Sequence, residues 1–511
     1  MMSDYVAEHS HIPPNSRHFL NDIMMRLVAD EDQVVLSDDS RDYRGADLLA
    51  LVARLAHMLA SRGIGFGDRV ALIAPTTGEA IAARYAAMCL GACTVFCPDA
   101  GSVDRLALFL RRIDADAALV FPDTAAAADA AAGITQTFGI GHVRTLPDLL
   151  AQSSSHAEAR PPTLESADSD ECVLVATGGT TGVSKASVRT VAQYTRLVAL
   201  GPTPGRRQLI CTPLAYIAQT LVDTVLMGGG HVVLRKHFDP AHILQTIEDE
   251  KITHLALVEP LLVDLLDSPA FPSYNLSTLS AISHVGADCA PTLRRRLLRR
   301  AGRPILVNPY GASEFGVISM LAGPDYSLDN PAHLGTAGTP LPLARVQIRD
   351  ANGSACTAGD EGMICVQTPA LASAYTVEPE TSGFADDGWF CTGDIGVLDA
   401  DGYLHVRGRQ ADRRTINEKG VFPVDIQDAL CGHPDVRYAV ALPDPHADNA
   451  FGAAIALHPG ATATHTDLAT HLERIAPALA DTTLAITTAI PVTEQGKPDR
   501  RALPAIIWPK I

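Results

Sequence analysis

The run Cys172-Val173-Leu174-Val175-Ala176 leads directly into Thr177-Gly178-Gly179-Thr180-Thr181-Gly182-Val183-Ser184-Lys185. The short apolar run reads as a buried strand, and the three glycines after it let the chain turn tightly and bring its N–H groups around an anion. The threonine hydroxyls add neutral donors and Lys185 adds a positive charge, a composition suited to cradling phosphates. It is not the loop of the common nucleotide triphosphatases, because Ala186 and not a hydroxyl residue follows Lys185. The plainer alternative is a glycine loop that joins a strand to a helix and holds nothing.

Outward from this stretch the chain alternates helical and strand patterns. Asp47 to Ser61 carries apolar residues at helical spacing and ends near Gly63. Arg69 to Ala74 reads as a buried parallel strand closed by Pro75, Ala80 to Leu90 as a helix, and Ala92 to Phe96 as a strand. This β-α-β rhythm predicts an α/β fold with crossover helices. Thr124 to Gly133, nearly all alanine, reads as a surface helix, and Ser153 to Pro162 as a polar connection. Leu209 to Leu234 is the most apolar long stretch, but it contains Gln219, Asp223, three consecutive glycines and His231. It therefore reads as a buried helix with flanking strands and not as a membrane span. A second boundary falls near residue 410, after the strand pattern Gly402 to Arg409. Beyond it come strand patterns at Tyr438–Leu442, Ala453–His458 and Leu484–Ile490, and a helix over Thr466–Leu479. The expected division is a large α/β body, residues 1–409, and a small α+β lid, residues 410–511.

Composition narrows the function classes. Of 511 residues, 47% are hydrophobic and 19% charged, which excludes a disordered or fibrous chain. Forty basic against 58 acidic residues leave a formal charge of −18, which disfavours nucleic acid and anionic membrane as partners while permitting a local basic pocket for a phosphate-bearing ligand. The N-terminus shows no basic patch followed by an apolar run, so no secretory signal is expected. The ten cysteines form no C-x-x-C pair. Cys89, Cys93 and Cys97 could make a metal face, but read better as ordinary core thiols on the inner side of an alanine-rich helix. All of this suits a reduced, cytoplasmic compartment.

Three further stretches carry polar groups after tight turns. Asn308-Pro309-Tyr310-Gly311-Ala312-Ser313-Glu314 places a lone carboxylate after an aromatic turn. Cys391-Thr392-Gly393-Asp394 is followed by Arg409, and Pro491-Val492-Thr493-Glu494-Gln495-Gly496-Lys497-Pro498-Asp499-Arg500 stands near the C-terminus. Taken singly, Glu314 is a capped turn, Asp394 a hairpin charge and Lys497 a solvated loop residue.

In this order and at these separations, the four stretches resemble the adenylate-forming superfamily of acyl- and aryl-CoA ligases, peptide-synthetase adenylation domains and luciferase, from about residue 40 to residue 505. The resemblance implies a large body and a mobile lid, ATP and Mg²⁺ as cofactors, and a role for each matching residue. Thr177, Gly178, Gly179, Thr180, Thr181, Gly182 and Lys185 would hold the β- and γ-phosphates. Tyr310, Gly311 and Ala312 would form the adenine shelf, Ser313 would approach the α-phosphate, and Glu314 would hold Mg²⁺. Asp394 would accept both ribose hydroxyls beside Arg409, and Lys497 would reach from the lid to the acid oxygen and α-phosphate. Lys497, Thr181 and Glu314 are the implied catalytic side chains.

Departures from the family pattern bear on the substrate. Where relatives that use coenzyme A carry a glycine pair after the hinge, this chain has Asn417 and Glu418, and the usual polar pivot is Ala411, followed by Asp412. Tyr216 stands at a position usually held by histidine, and Gln219 at one usually held by glycine; His284 and Gly286 lie where relatives line the carboxylate site. These four residues form the expected substrate pocket, small and polar. The implied activity is AMP-forming activation of a small aromatic acid, with coenzyme A or another thiol as acceptor. The alternative is a diazotase that activates nitrite as an adenylate and couples it to an aromatic amine. A non-catalytic nucleotide-binding relative is disfavoured by the complete set Lys185, Glu314, Asp394, Arg409 and Lys497.

Overall fold

The computed structural model describes residues 18–98, 102–127, 142–145, 166–177, 185–199, 201, 203–286, 290–377, 383–385 and 387–509. The apolar runs of the body pair into two large sheets. In the seven-stranded one, Arg69–Ile73 lies parallel between Cys93–Phe96 and Ala117–Val120, with Glu171–Thr177 parallel to Cys93–Phe96 on its other side. In the nine-stranded one, Arg207–Ile210, His254–Val258, Ala281–Val285 and Leu306–Ala312 run side by side in parallel. Strand side chains alternate between faces, so each sheet feeds two cores. Val70 and Leu72 of one sheet and Val232 and Leu234 of the other meet a shared helical layer that includes Phe19–Ala29, Gly45–Ser61, Gly78–Met88 and Gln219–Met227. Ala71 and Ile73 face the helix Val103–Arg112, while Val233 and Leu257 face Glu259–Asp267 and Pro291–Ala301.

Inside the shared layer lies a polar cluster with no solvent contact. Arg84 reaches both carboxylate oxygens of Asp223, at 2.9 and 2.7 Å, and Tyr85 and Tyr194 each donate to the same carboxylate at 2.6 Å. Buried charges are tolerated when paired and hydrogen-bonded in this way. The cluster ties the helix that begins at Gln219 to Gly78–Met88 and to Val191–Val198.

An antiparallel sheet of Arg345–Arg349, Glu361–Gln367, Phe390–Leu398 and Leu404–Arg409 completes the body. The smaller C-terminal domain sets Val436–Pro443 antiparallel and Thr483–Thr487 parallel to Phe451–Leu457. One face of this sheet makes a core of its own with Ile426, Leu430, Leu468 and Leu472. The other face (Tyr438, Val440, Leu442 and Ala454) joins the core of the body, as do Leu503 and Ile507. The helix expected over 466–479 is His465–Ile475, followed by a separate turn at Pro477–Leu479, because a proline cannot continue a helical hydrogen-bond ladder.

Several expectations need correction. Glu171–Thr177 does not lead to a helix: Thr177 pairs with Lys185, and Lys185–Thr190 returns antiparallel before the helix Val191–Val198 begins. Cys89, Cys93 and Cys97 do not share a helix. Cys89 caps the helix Gly78–Met88, Gly91 turns the chain at φ +79°, and Cys93 opens the strand that Cys97 follows. Among the described residues no cluster of three or more His, Cys, Asp or Glu could hold a metal. The thiols are not all free either. Cys365 and Cys391 face each other across neighbouring strands and are joined as a disulfide, a departure from the fully reduced reading. Of the stretch 124–133, Pro122–Ala127 forms a 3₁₀ turn; residues 128–133 and 153–162 lie outside the described residues. Leu209–Leu234 forms the helix and strands expected of it, and among the described residues no helix is long and apolar enough to cross a membrane.

Candidate active site

Gly178, Gly179, Thr180, Thr181 and Gly182 lie outside the described residues; Thr177 and Lys185 flank them as facing residues of the two strands. Side chains at Lys185, Ser187 and Arg189 share one strand face. From this face Ser187 donates its hydroxyl to the Ser313 carbonyl at 3.1 Å. Ser313 returns its own hydroxyl to Ala176 O at 3.4 Å, so the turn after the Leu306–Ala312 strand is sewn to the glycine-loop hairpin. The aromatic turn expected at Tyr310 is strand: Tyr310, Gly311 and Ala312 pair with Gly316–Leu321, and only Ser313, Glu314 and Phe315 form the bend.

Glu314 sits at that bend. Its carbonyl accepts from Ala372 N at 2.8 Å, and its carboxylate accepts from Tyr375 Oη at 2.8 Å. The Lys185 ammonium lies 5.7 Å from the centre of the Tyr375 ring, so Tyr375 links the lysine to the carboxylate. No cation forms an ion pair with Glu314 among the described residues. A carboxylate that bears one hydroxyl donor and no cation keeps lone pairs for a hard metal ion. Mg²⁺ commonly uses one or two protein carboxylates and takes its other ligands from phosphate and water, so this donor set fits the ion.

Asp394 and Arg409 face each other directly on neighbouring strands. Arg409 Nε meets Asp394 Oδ1 at 3.1 Å, and Arg409 Nη1 donates to Thr392 O at 2.8 Å. Tyr310 donates its hydroxyl to the second oxygen, Oδ2, at 2.6 Å. Burial first, and Asp394 second, push the Tyr310 phenol well above its ordinary value, so it stays a donor. Each carboxylate oxygen keeps a further lone pair for an incoming hydroxyl.

Lys497 arrives from the C-terminal domain on a narrow loop. Thr493 N donates to Lys497 O at 2.7 Å, Gly496 N to Thr493 O at 2.8 Å, and Asp499 N to Pro491 O at 2.8 Å. A side chain at Gly496 would collide with Leu261 and Val258, and one at Gly286 would come within 2.5 Å of Lys497 Cε. Gly286 also has φ +89°, which glycine takes without strain. The loop is thus pressed onto the ends of the parallel strands His254–Val258 and Ala281–Val285, where open α/β sheets hold their ligands. Burial, then the charge of Arg409, lowers the Lys497 pKa, while Glu314 opposes the shift. One site therefore gathers Lys185, Glu314, Asp394, Arg409 and Lys497.

The four expected pocket residues divide. Gly286 touches Lys497. Tyr216 lies in the irregular turn Leu214–Ala218 and donates to Glu494 Oε1 at 3.0 Å, on the lysine loop. Gln219 is fully buried at the start of its helix, and neither its amide oxygen nor its nitrogen has a hydrogen-bond partner among the described residues. His284 turns into the core, where its Nε2 shares a 2.7 Å hydrogen bond with the Tyr326 hydroxyl and burial drives its pKa well down. Sequence reasoning missed Tyr375 and Ser187, neither of which belongs to a quoted motif. It passed over Glu494, although that residue stands within one.

Comparison with known proteins identifies the family of the chain. A family model described as AMP-binding enzyme matches residues 26–376. A medium/long-chain fatty-acid–CoA ligase of Mycobacterium tuberculosis is 29% identical over 93% of this chain and 87% of its own. A feruloyl-CoA synthase of Amycolatopsis is 28% identical over 88% of this chain and 91% of its own. The solved structure of the amide bond synthetase McbA from Marinactinospora thermotolerans superposes with a TM-score of 0.82 at 28% identity, covering 95% of this chain and 99% of that one. The chain belongs to the AMP-binding enzyme family, as an ATP-dependent adenylate-forming ligase that releases AMP and pyrophosphate.

Proposed function

We propose that the enzyme activates a small aromatic carboxylic acid as its acyl-adenylate and passes the acyl group to coenzyme A or another thiol. The observation that carries this reading is Gln219, a fully buried amide whose two polar atoms have no partner among the described residues. An unpaired buried amide costs on the order of 1–3 kcal/mol and favours a ligand that brings a polar group to it. Tyr216 occupies the neighbouring turn, and in this reading its ring and the Gln219 amide make the acid pocket small and polar. The similarity to a feruloyl-CoA synthase supports an aryl acid.

In this reading residues 1–409 bind both substrates and residues 410–511 form the lid. Negative charge gathers as the acid oxygen attacks the α-phosphorus, and the Lys497 ammonium meets it from the lid. Lys185 and the glycine loop take the outer phosphates, Asp394 holds the ribose hydroxyls, and Tyr310 supports the adenine. Mg²⁺ on Glu314, when bound, neutralises phosphate charge.

A second reading keeps the site and changes the reactants: nitrite replaces the acid, and an aromatic amine attacks the adenylate. Asn417 and Glu418 favour it. They form the tip of the Arg414–Ile416/Lys419–Val421 hairpin at φ +48° and +64°, conformations suited to glycine, yet they place an acid where a pantetheine arm would pass in relatives. The test is incubation with ATP and Mg²⁺ and a panel of aryl acids, with and without coenzyme A, then with nitrite and aryl amines. AMP with an aryl thioester supports the first reading. Nitrite-dependent AMP with an ultraviolet-absorbing diazo product replaces it by the second.

A further inference from the structure

Arg189 is a fully buried cation to which the reaction described above assigns no part. Its Nε donates to Ala370 O at 3.3 Å and its Nη1 to Ser187 Oγ at 3.4 Å, both neutral acceptors, and its Nη2 has no partner among the described residues. Two other arginines are as deeply buried: Arg84 shows what a charge-compensated site looks like, with Asp223 at 2.7 Å, and Arg294 donates to the Leu334 and Thr336 carbonyls. Among the described residues no carboxylate forms an ion pair with Arg189. Charges without a counter-ion are costly to bury, and replacing them with apolar side chains of similar size commonly leaves a fold as stable or more so. A folding role therefore accounts poorly for this guanidinium.

Its position suggests what it faces. Arg189 shares a strand face with Lys185 and Ser187, and its guanidinium rests against the Ser187 hydroxyl that holds the Ser313 carbonyl. Burial pulls its pKa down to about 10, and Glu314 is the first carboxylate to oppose this. An enzyme with a formal charge of −18 repels an anionic nucleotide at long range and needs local cations to hold one.

We propose that Arg189 is a positioning residue for the nucleotide, a buried positive charge behind the Ser313–Glu314 turn whose missing counter-ion is the phosphate chain. The proposal rests on the assignment of ATP to this site. It requires no contact between Arg189 and the reacting atoms, because in a poorly screened interior a charge acts across intervening side chains.

The test uses the full chain and two variants, Arg189→Met, which keeps length and loses charge, and Arg189→Lys, which keeps charge. Calorimetry measures the binding of MgATP, AMP and adenosine, and the melting midpoint is recorded without ligand. Loss of one buried charge is expected to weaken MgATP and AMP by about tenfold and leave adenosine unchanged. Arg189→Lys should bind all three within about twofold of wild type, and the Met variant should melt no lower. Equal weakening of all three ligands, or no weakening, overturns the proposal, and a lowered midpoint with uniform weakening identifies a structural brace instead. Failure of the wild-type chain to bind MgATP would overturn the nucleotide assignment itself, which separates the two failures.

Discussion

Tyr216, in the wall of the large body, donates its hydroxyl to Glu494 on the loop that carries Lys497, at 3.0 Å. In the proposed reading, the acid pocket and the lysine loop are therefore joined by a hydrogen bond between residues 278 positions apart. Tyr216→Phe and Glu494→Ala are each expected to slow pyrophosphate exchange by about three- to tenfold, the range for one charge-assisted hydrogen bond at a partly wet site. The double variant should be no slower than the worse single one. Fully additive losses would show that the two residues act separately.

The alkaline side of the pH profile should report Lys497. Burial first, and Arg409 second, lower its pKa from the ordinary 10.5. In the proposed role the lysine acts as a cation, so adenylation should be lost as pH rises through its pKa, and the limb should fall below pH 10.5. Arg409→Met removes a repelling charge and should move that limb to higher pH. A limb that stays in place would assign it to another group.

At Gly286 geometry allows no side chain. Gly286→Ala adds a carbon 2.5 Å from Lys497 Cε at a residue with φ +89°. Backbone strain should cost about 1–2 kcal/mol of stability, and displacing the lysine should cost about tenfold or more in adenylation. Activity near wild type would mean the loop does not seat there during reaction.

The hairpin tip offers a test of acceptor use. Asn417→Gly with Glu418→Gly keeps the two positive φ values at no steric cost and removes an acid. Stability should change by less than about 1 kcal/mol, and adenylation should be unaffected. The KM for coenzyme A in thioester formation should fall. An unchanged KM would show that this turn does not border the acceptor's path.

How much of this was legible depends on where each partner lies. Lys185, Glu314, Asp394, Arg409 and Lys497 stand out because the stretches that carry them come in an order that resembles a known family, although each charge alone reads as an ordinary turn or loop residue. Tyr375 and Ser187 do not, because they reach the Ser313–Glu314 bend from 61 and 126 residues away through strand pairing that no local pattern reveals. Cys365 and Cys391 meet for the same reason, by register between two strands. In Lys185–Thr190 the alternation of Ala186 and Val188 with Ser187 and Arg189 is a strand signal too short to outweigh the helix expected after a glycine loop. His284 was read by its place in the chain, whereas strand alternation turns it towards Tyr326.

The most direct measurement is ATP–pyrophosphate exchange by Lys497→Ala, alongside its melting midpoint and its ability to convert a presynthesised aryl-adenylate to thioester. Exchange is expected to be abolished, the midpoint to be unchanged, and conversion of the adenylate to survive. Near-normal exchange in a folded variant would contradict the placement of the C-terminal lysine at the centre of the first half-reaction.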